Sequence, residues 1–359
     1  MLLAISMVIG IALGTFTATR FGESKLNIIS TGSNKINYLL QLIDYNYVDT
    51  VDVDSLVELA MPKIISELDP HSVYIPAKDV EASNEDLKGS FSGIGISFRM
   101  EQDSVTVMSV IHGGPAEKVG LLAGDRIISA NGKNLCKMQS TEVMKHLKGE
   151  KGTEVKLEVI RRKDKDPLTF NVVRGDIPVE SVDASFLVDD EIGYVRIKNF
   201  GENTFPEMLS TLAHLHFNGM KSLIIDLRGN RGGYMHPSIQ MANEFLDEDQ
   251  LIVYTEGSKV KREDYRSNGL GSFKHLPLVV LVDEMSASSS EIFAGAIQDN
   301  DRGTIIGRRS FGKGLVQQPM KFNDGSEVRL TIARYHTPSG RCIQKAYEKG
   351  HGEDYENEL

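Results

Sequence analysis

The chain has 359 residues, 40% hydrophobic and 25% charged, and its 50 acidic and 40 basic side chains give a formal net charge of −10. That balance excludes a disordered chain, a collagen-like repeat and a multi-span membrane protein, and without a clustered basic stripe it argues against nucleic acid as the main partner. The length predicts on the order of two or three domains, and two distant cysteines, Cys136 and Cys342, exclude a disulfide framework and an all-cysteine zinc site and read as free thiols.

Residues 2–19 carry no charge; the first is Arg20. As a helix they would span roughly 27 Å, close to the ~30 Å hydrocarbon core of a bilayer. They read as a signal peptide or a single membrane anchor. No A-x-A cleavage site and no basic segment ahead of the run decides between the two. The rest of the chain is expected outside the cytoplasm, periplasmic or held at the membrane.

Residues 34–68 show apolar side chains near a 3.6-residue period, predicting helices, with Asp52 or Asp54 as a cap for the second. A turn follows at residues 69–72, and the polar, acidic stretch 77–90 reads as a linker. From 91 to about 174 the pattern changes to five short strands, FSGIGISFR, SVTVMSVI, DRIISANG, EVKLEVIRR and LTFNVVRG, with short helices at 115–119 and 141–147. From about 176 onward strands alternate with helices: IGYVRIKNF, a helix over 204–217, SLIIDLR, a helix over 237–245, LIVYT, LPLVVLVD, a helix over 288–297 and TIIGR. EVRLTIARYHT follows as a late antiparallel strand. This alternation predicts a parallel or mixed sheet.

The segment LPLVVLVDEMSASSSEIFAGAI predicts a buried strand, a turn and a helix, with Ser286, Ser288, Ser289 and Ser290 at the turn. A serine there exposes its hydroxyl beside helix N-terminal amides, which suits nucleophilic attack. Taken alone, the same residues read more readily as a cap, since Ser288 and Glu291 match the S-x-x-E box. Downstream, Lys313 stands between two glycines after a strand. A lysine activates a serine only when neutral, which requires burial or nearby positive charge to lower its pKa. Gln317, four residues on, supplies an amide that orients such a lysine without adding charge. The G-x-x-x-x-G-K match to a phosphate loop fails at Gly314, where the magnesium-binding hydroxyl should stand, and LVQQPMKF reads as a strand rather than a helix. Gly229-Asn230-Arg231-Gly232-Gly233 after SLIIDLR reads either as a tight turn or as amides for an oxyanion. No H-E-x-x-H is present, and His214 and His216 are two apart on a helix and face different ways. A Ser-His-Asp triad stays open among nine histidines.

Three blocks, LDPHSVYIP (68–76), DLRGNRGG (226–233) and SASSSEIFAGAIQDNDRGTIIGRRSFGKGLVQQ (286–318), resemble the C-terminal processing proteases, the S41 serine peptidases with an embedded PDZ domain. The resemblance covers about residues 35–345. It implies an α/β catalytic core of the crotonase/ClpP-like kind, an inserted β-rich PDZ domain and N-terminal helices. The corresponding boundaries are 1–20 for the leader or anchor, 33–90 for helices and linker, 91–174 for the PDZ domain, 175–345 for the catalytic domain and 346–359 for a polar tail. Relatives continue past RYHTPSGRCIQK into more strand, so the expectation is a truncated chain or a sheet completed differently.

Carried over residue by residue, the resemblance puts the nucleophile on Ser288, the lysine base on Lys313, 25 residues later, and the helper on Gln317. It puts the oxyanion amides at Gly232, Gly233 and Ser289, and a supporting pair at Asp299 and Arg302. In the PDZ module the matching loop is Ser92-Gly93-Ile94-Gly95-Ile96; the amides of Ile94, Gly95 and Ile96 would bind a C-terminal carboxylate, and Ile94 and Ile96 would line a pocket for an apolar last residue. GGPAEKVGLLAGDRIISANG follows as in PDZ domains of bacterial proteases. The implied activity is endoproteolysis near the C-termini of polypeptides with apolar ends, with no metal or organic cofactor and with dimerisation through the N-terminal helices. Two other classes are kept: a non-catalytic PDZ adaptor on a protease scaffold, and an acyl-thioester enzyme of the crotonase type, against which the PDZ module argues.

Overall fold

The computed structural model describes residues 32–347, apart from 102 and 165; the apolar run 2–19 and most of the polar tail lie outside these residues. The chain divides into two compact units, which meet between Leu68 and Asp69. In the first, α1 (Gly32–Asn46) and α2 (Val53–Ser66) form a helical pair. Of the two candidate caps, Asp52 caps α2: its carboxylate accepts from the amides of Asp54 and Ser55. Ile36, Leu39, Leu42, Leu59 and Ile64 of this pair are exposed.

The second unit opens with β1 (Val73–Ile75) and α3 (Ala77–Lys88). The linker expected over 77–90 is therefore corrected to a helix. Its low hydropathy hid it, but local signals were present: Pro76 ahead of the first turn, Asp79 within it, Lys88 in the last, and Gly89 at the C-cap with φ 69°.

The β-rich module follows as an insert closed by a two-stranded neck, β2 (Ser90–Gly93) against β9 (Gly175–Pro178). Within it β3 (Ile96–Glu101), β4 (Ser104–Val110), β5 (Arg126–Ala130), β6 (Lys133–Asn134), β7 (Glu154–Ile160) and β8 (Leu168–Val173) form an antiparallel sheet with β3 at one edge. The short helices are α4 (Pro115–Lys118) and α5 (Ser140–Leu147). Strand β7 alternates strictly, sending Val155, Leu157 and Val159 into a core shared with Val107, Ile127 and Val143. The single strand expected from FSGIGISFR is broken at Ile94–Gly95, because Gly95 takes φ 78°, a left-handed turn that extended pairing does not allow.

Beyond the neck the chain forms a mixed sheet in the order β10 (Val182–Leu187), β11 (Ile192–Ile197), β12 (Ser222–Asp226), β15 (Leu278–Val282), β16 (Thr304–Gly307). The first pair is antiparallel and the rest parallel. Helices α6 (Thr204–Phe217), α7 (Met235–Asn243) and α8 (Ser289–Asp299) join these strands. They bury Met208, Leu212, Met241, Ile292 and Phe293 against Leu223, Ile225 and Val280. Each such side chain contributes about 1.5–3 kcal/mol of hydrophobic stabilisation. A second, antiparallel sheet joins β1, β13 (Leu251–Glu256), β14 (Glu263–Arg266), β17 (Leu315–Lys321) and β18 (Glu327–His336), with β1 paired to β18 across more than half the chain. The fold is thus α/β with an inserted β-rich domain. Its parallel strands β12, β15 and β16 end on one side, where functional sites of such sheets form.

Candidate active site

Three loops meet at those strand ends. The loop after β15 turns sharply into α8 at Ser288, whose φ of 55° and ψ of −113° lie outside the regions a β-carbon favours. Such a conformation costs of order 1–3 kcal/mol and persists only where the surroundings fix it. Here the other three serines of the turn do so. Ser286 Oγ donates to the Leu227 carbonyl (2.8 Å), Ser289 Oγ to those of Gly233 and Tyr234 (3.0 Å each), and Ser290 Oγ to that of Asn230 (3.0 Å). All three are buried, whereas Ser288 is partly exposed. The crowding of serines is thereby sorted: three hydroxyls rivet the turn to the loop after β12, and the fourth faces a cavity of about 840 Å³.

The loop after β12 lies against this turn. A β-carbon on Gly232 would stand 2.7 Å from Ser288 Cβ and 2.7 Å from the Ala287 carbonyl oxygen, so only glycine permits the approach. The amide of Gly232 donates to Asn230 Oδ1 (2.8 Å). This corrects the expected oxyanion set: Gly232 supplies closeness, and its N–H is already spent. The amides of Gly233 and Ser289 donate to no acceptor among the described residues.

The loop after β16 brings Lys313 to the same cavity. Its Nζ donates to Gln317 Oε1 (3.0 Å), and Gln317 Nε2 donates to the His71 carbonyl. No hydrogen bond joins Lys313 to Ser288 among the described residues. Burial holds the lysine below its ordinary pKa, with Arg329 adding to the effect and Asp69 and Glu291 opposing it. His71 is brought down to about 4, first by burial and then by Lys313, so it is neutral at physiological pH. Its turn is fixed by Asp69, whose Oδ1 accepts from the amides of His71 (2.9 Å) and Ser72 (2.8 Å).

A family model described as Peptidase family S41 matches residues 191–356, and one described as PDZ domain matches residues 92–173. The Carboxy-terminal processing protease CtpA of Bacillus subtilis (strain 168) is 34% identical over 92% of this chain and 71% of its own length. The Carboxy-terminal-processing protease of Bartonella bacilliformis is 36% identical over 85% of this chain and 71% of its own. The chain belongs to peptidase family S41. It is a serine-type peptidase of the carboxy-terminal processing kind with an embedded PDZ domain. Among solved structures, a photosystem II D1 C-terminal processing protease is 29% identical, covers 85% of this chain and 88% of its own, and has a TM-score of 0.48.

Two other expectations for this S41 peptidase are corrected. Asp299 and Arg302 do not pair. Asp299 accepts from Arg341 and from the amide and hydroxyl of Ser339, while Arg302 donates to the carbonyls of Phe245, Phe273 and Leu276. Asp299 is the last residue of α8 and Arg302 lies beyond it, so the helical spacing that would align them is lost. In the PDZ loop, Ile94 is 2% exposed and packs in the module's core, so it walls no open pocket. Ile96 stays partly exposed on edge strand β3, and the amides of Ile94 and Gly95 donate to no acceptor among the described residues.

Glu291 is the residue whose role the sequence reading missed. Its Oε2 accepts from the amides of Ser288 (2.8 Å) and Lys313 (2.9 Å), and its Oε1 from the amide of Gly312 (2.7 Å) and Ser310 Oγ (2.8 Å). One buried carboxylate thus ties the serine turn to the lysine loop. Burial pushes its pKa up, while the four donors favour the ionised form. The S-x-x-E spacing pointed to Glu291 as a helix cap, which it is, but only the fold adds the lysine loop.

Proposed function

We propose that this S41 peptidase cleaves polypeptides near their C-termini through a Ser288–Lys313 dyad, with the PDZ domain holding the free end of the substrate. The observation that carries the reading is the placement of Lys313. It is depressed in pKa, bonded to a neutral amide, and lines one cavity with a strained Ser288 beneath two open amides. The flexible four-carbon stem of Lys313 swings Nζ from Gln317 to Ser288. Neutral Lys313 takes the Ser288 proton as Oγ bonds to the scissile carbonyl carbon. The amides of Gly233 and Ser289 stabilise the resulting oxyanion. Collapse breaks the C–N bond, and the leaving amine takes the proton back from Lys313. Lys313 then takes a proton from water as its oxygen bonds to the acyl carbon, and returns it to Ser288 Oγ as the Oγ–C bond breaks and the carboxylic acid leaves.

The reading is tested on an unstructured protein with an apolar C-terminus. Cleavage is expected, and amidating the terminal carboxylate is expected to slow it, because the open PDZ-loop amides lose their anion. Equal rates with both ends would remove carboxylate capture from the reading, and no cleavage by folded protein would favour the adaptor class. Gln317→Glu tests the base. A carboxylate beside Nζ raises the lysine pKa, so the rising limb of kcat/KM should move to higher pH. A limb that stays in place would take the base role from Lys313.

Export, with the N-terminal run as leader or anchor, and self-association through the helical pair complete the reading. The exposed apolar residues of α1 and α2 support the second. Cell fractionation and sedimentation equilibrium decide them: a cytoplasmic enzyme, or one of monomer mass, overturns the respective part.

A further inference from the structure

The chain is acidic overall, yet the lining of the Ser288 cavity holds four cationic side chains, Lys198, Arg231, Lys313 and Arg329, and no carboxylate. Two of the four are occupied. Lys313 bonds Gln317, and Arg329 is held by Glu327 (3.0 Å), Ser83 Oγ (2.9 Å) and Asn84 Oδ1 (3.2 Å). Lys198 and Arg231 are exposed and form no ion pair among the described residues. Glu202 acts electrostatically on Tyr234 nearby, but it does not line the cavity.

Both free cations are carried by backbone that adjoins the Gly232 loop. Arg231 immediately precedes Gly232, where a β-carbon would stand 2.7 Å from Ser288 Cβ. Lys198 follows Ile197, whose carbonyl accepts from Asn230 Nδ2 (2.9 Å). Two residues on, the Phe200 amide donates to the Gly232 carbonyl (3.0 Å), so the Lys198 segment runs beside the same loop.

We propose that Arg231 and Lys198 make the cleft selective for polypeptides carrying an acidic side chain next to the scissile bond. This rests on the reading above only in taking Ser288 to mark that bond. Unpaired cations in a cleft focus field on whatever enters it, favour an anionic partner and reject a cationic one, with an effect that salt weakens.

The test has a binding arm and a cleavage arm. In the first, fluorescent peptides differing only in Glu, Gln or Lys at the positions flanking one site, all amidated so that the PDZ loop is not engaged, are titrated against Ser288→Ala protein. The Glu peptide should bind roughly tenfold more tightly than the Gln peptide at low ionic strength, and the gap should shrink as salt is added. Arg231→Ala with Lys198→Ala should remove the gap, and Arg231→Glu with Lys198→Glu should turn it in favour of Lys, with circular dichroism confirming the fold. Equal binding of Glu and Gln peptides, or a gap that survives both substitutions, overturns the proposal. In the second arm kcat/KM of the wild-type chain should follow the same order. Failure to cleave any peptide would sink the protease reading while the binding arm still decides the charge preference.

Discussion

Ser288→Ala and Lys313→Ala are each expected to lower kcat by at least about 10³-fold, and the double substitution should lower it no further. The two groups act as one unit. Without the hydroxyl there is nothing to deprotonate, and without a neutral amine the hydroxyl keeps its proton at physiological pH. Three neighbouring serines do not replace Ser288, because each hydroxyl is buried and bonded to a backbone carbonyl. Losses that multiply in the double variant would mean separate roles, and activity surviving in Ser288→Ala would move the nucleophile elsewhere. The lysine also carries a signature in stability. Its folded-state pKa is depressed below the ordinary 10.5, so the unfolded chain binds more protons between the two values and stability rises with pH across that window. Below it the fold holds a charged amine in a partly buried site at a cost. Lys313→Met should therefore raise Tm at neutral pH while abolishing turnover; a lowered Tm would show that the charge is not a burden on the fold.

Much of the site was legible because it is written locally. The serine turn is a strand, a short polar loop and a helix in one continuous segment, and Lys313 is framed by glycines that free the backbone to approach its neighbours. The alternation after residue 176 likewise sets a parallel sheet, since each helix has to return the chain to the same strand end. What the sequence hid is what distant segments do to one another. Nothing in G-N-R-G-G separates Gly232, whose amide bonds its own loop, from Gly233, whose amide is open. The first family block carries no visible chemistry, yet it supplies the His71 carbonyl that holds Gln317 across the second sheet. Ile94 looked like a pocket wall from its place in a glycine loop, but the left-handed turn at Gly95 and the core behind it take the side chain inward. The helix over 77–88 was the opposite case: its capping residues were all present, and its polar composition obscured them.

Glu291→Gln is expected to lower kcat by about 10²-fold although it changes one atom. All four partners of the carboxylate are donors, two on each oxygen. A glutamine keeps one acceptor oxygen and turns an NH2 group toward two N–H or O–H groups, so whichever way it is flipped, two buried bonds are lost. Hydrogen bonds to a charged acceptor contribute about 1.5–3 kcal/mol each, and leaving buried donors unpaired adds to the loss. The bonds that break join the Ser288 turn to the Lys313 loop, and a displacement of roughly 1 Å between reacting groups is enough for a loss of this size. A general weakening of the fold would also lower activity, so the decisive readout is the pH profile. Glu291 acts on Lys313 to raise its pKa, against the stronger effect of burial. Removing the negative charge should let that pKa fall further, so the rising limb of kcat/KM should move to lower pH even as the plateau drops. This is the opposite of the shift expected for Gln317→Glu, and two substitutions that move one limb in opposite directions would fix its origin in Lys313. A folded Glu291→Gln protein with wild-type kcat and an unmoved limb would show that the serine turn and the lysine loop hold their places without the carboxylate between them.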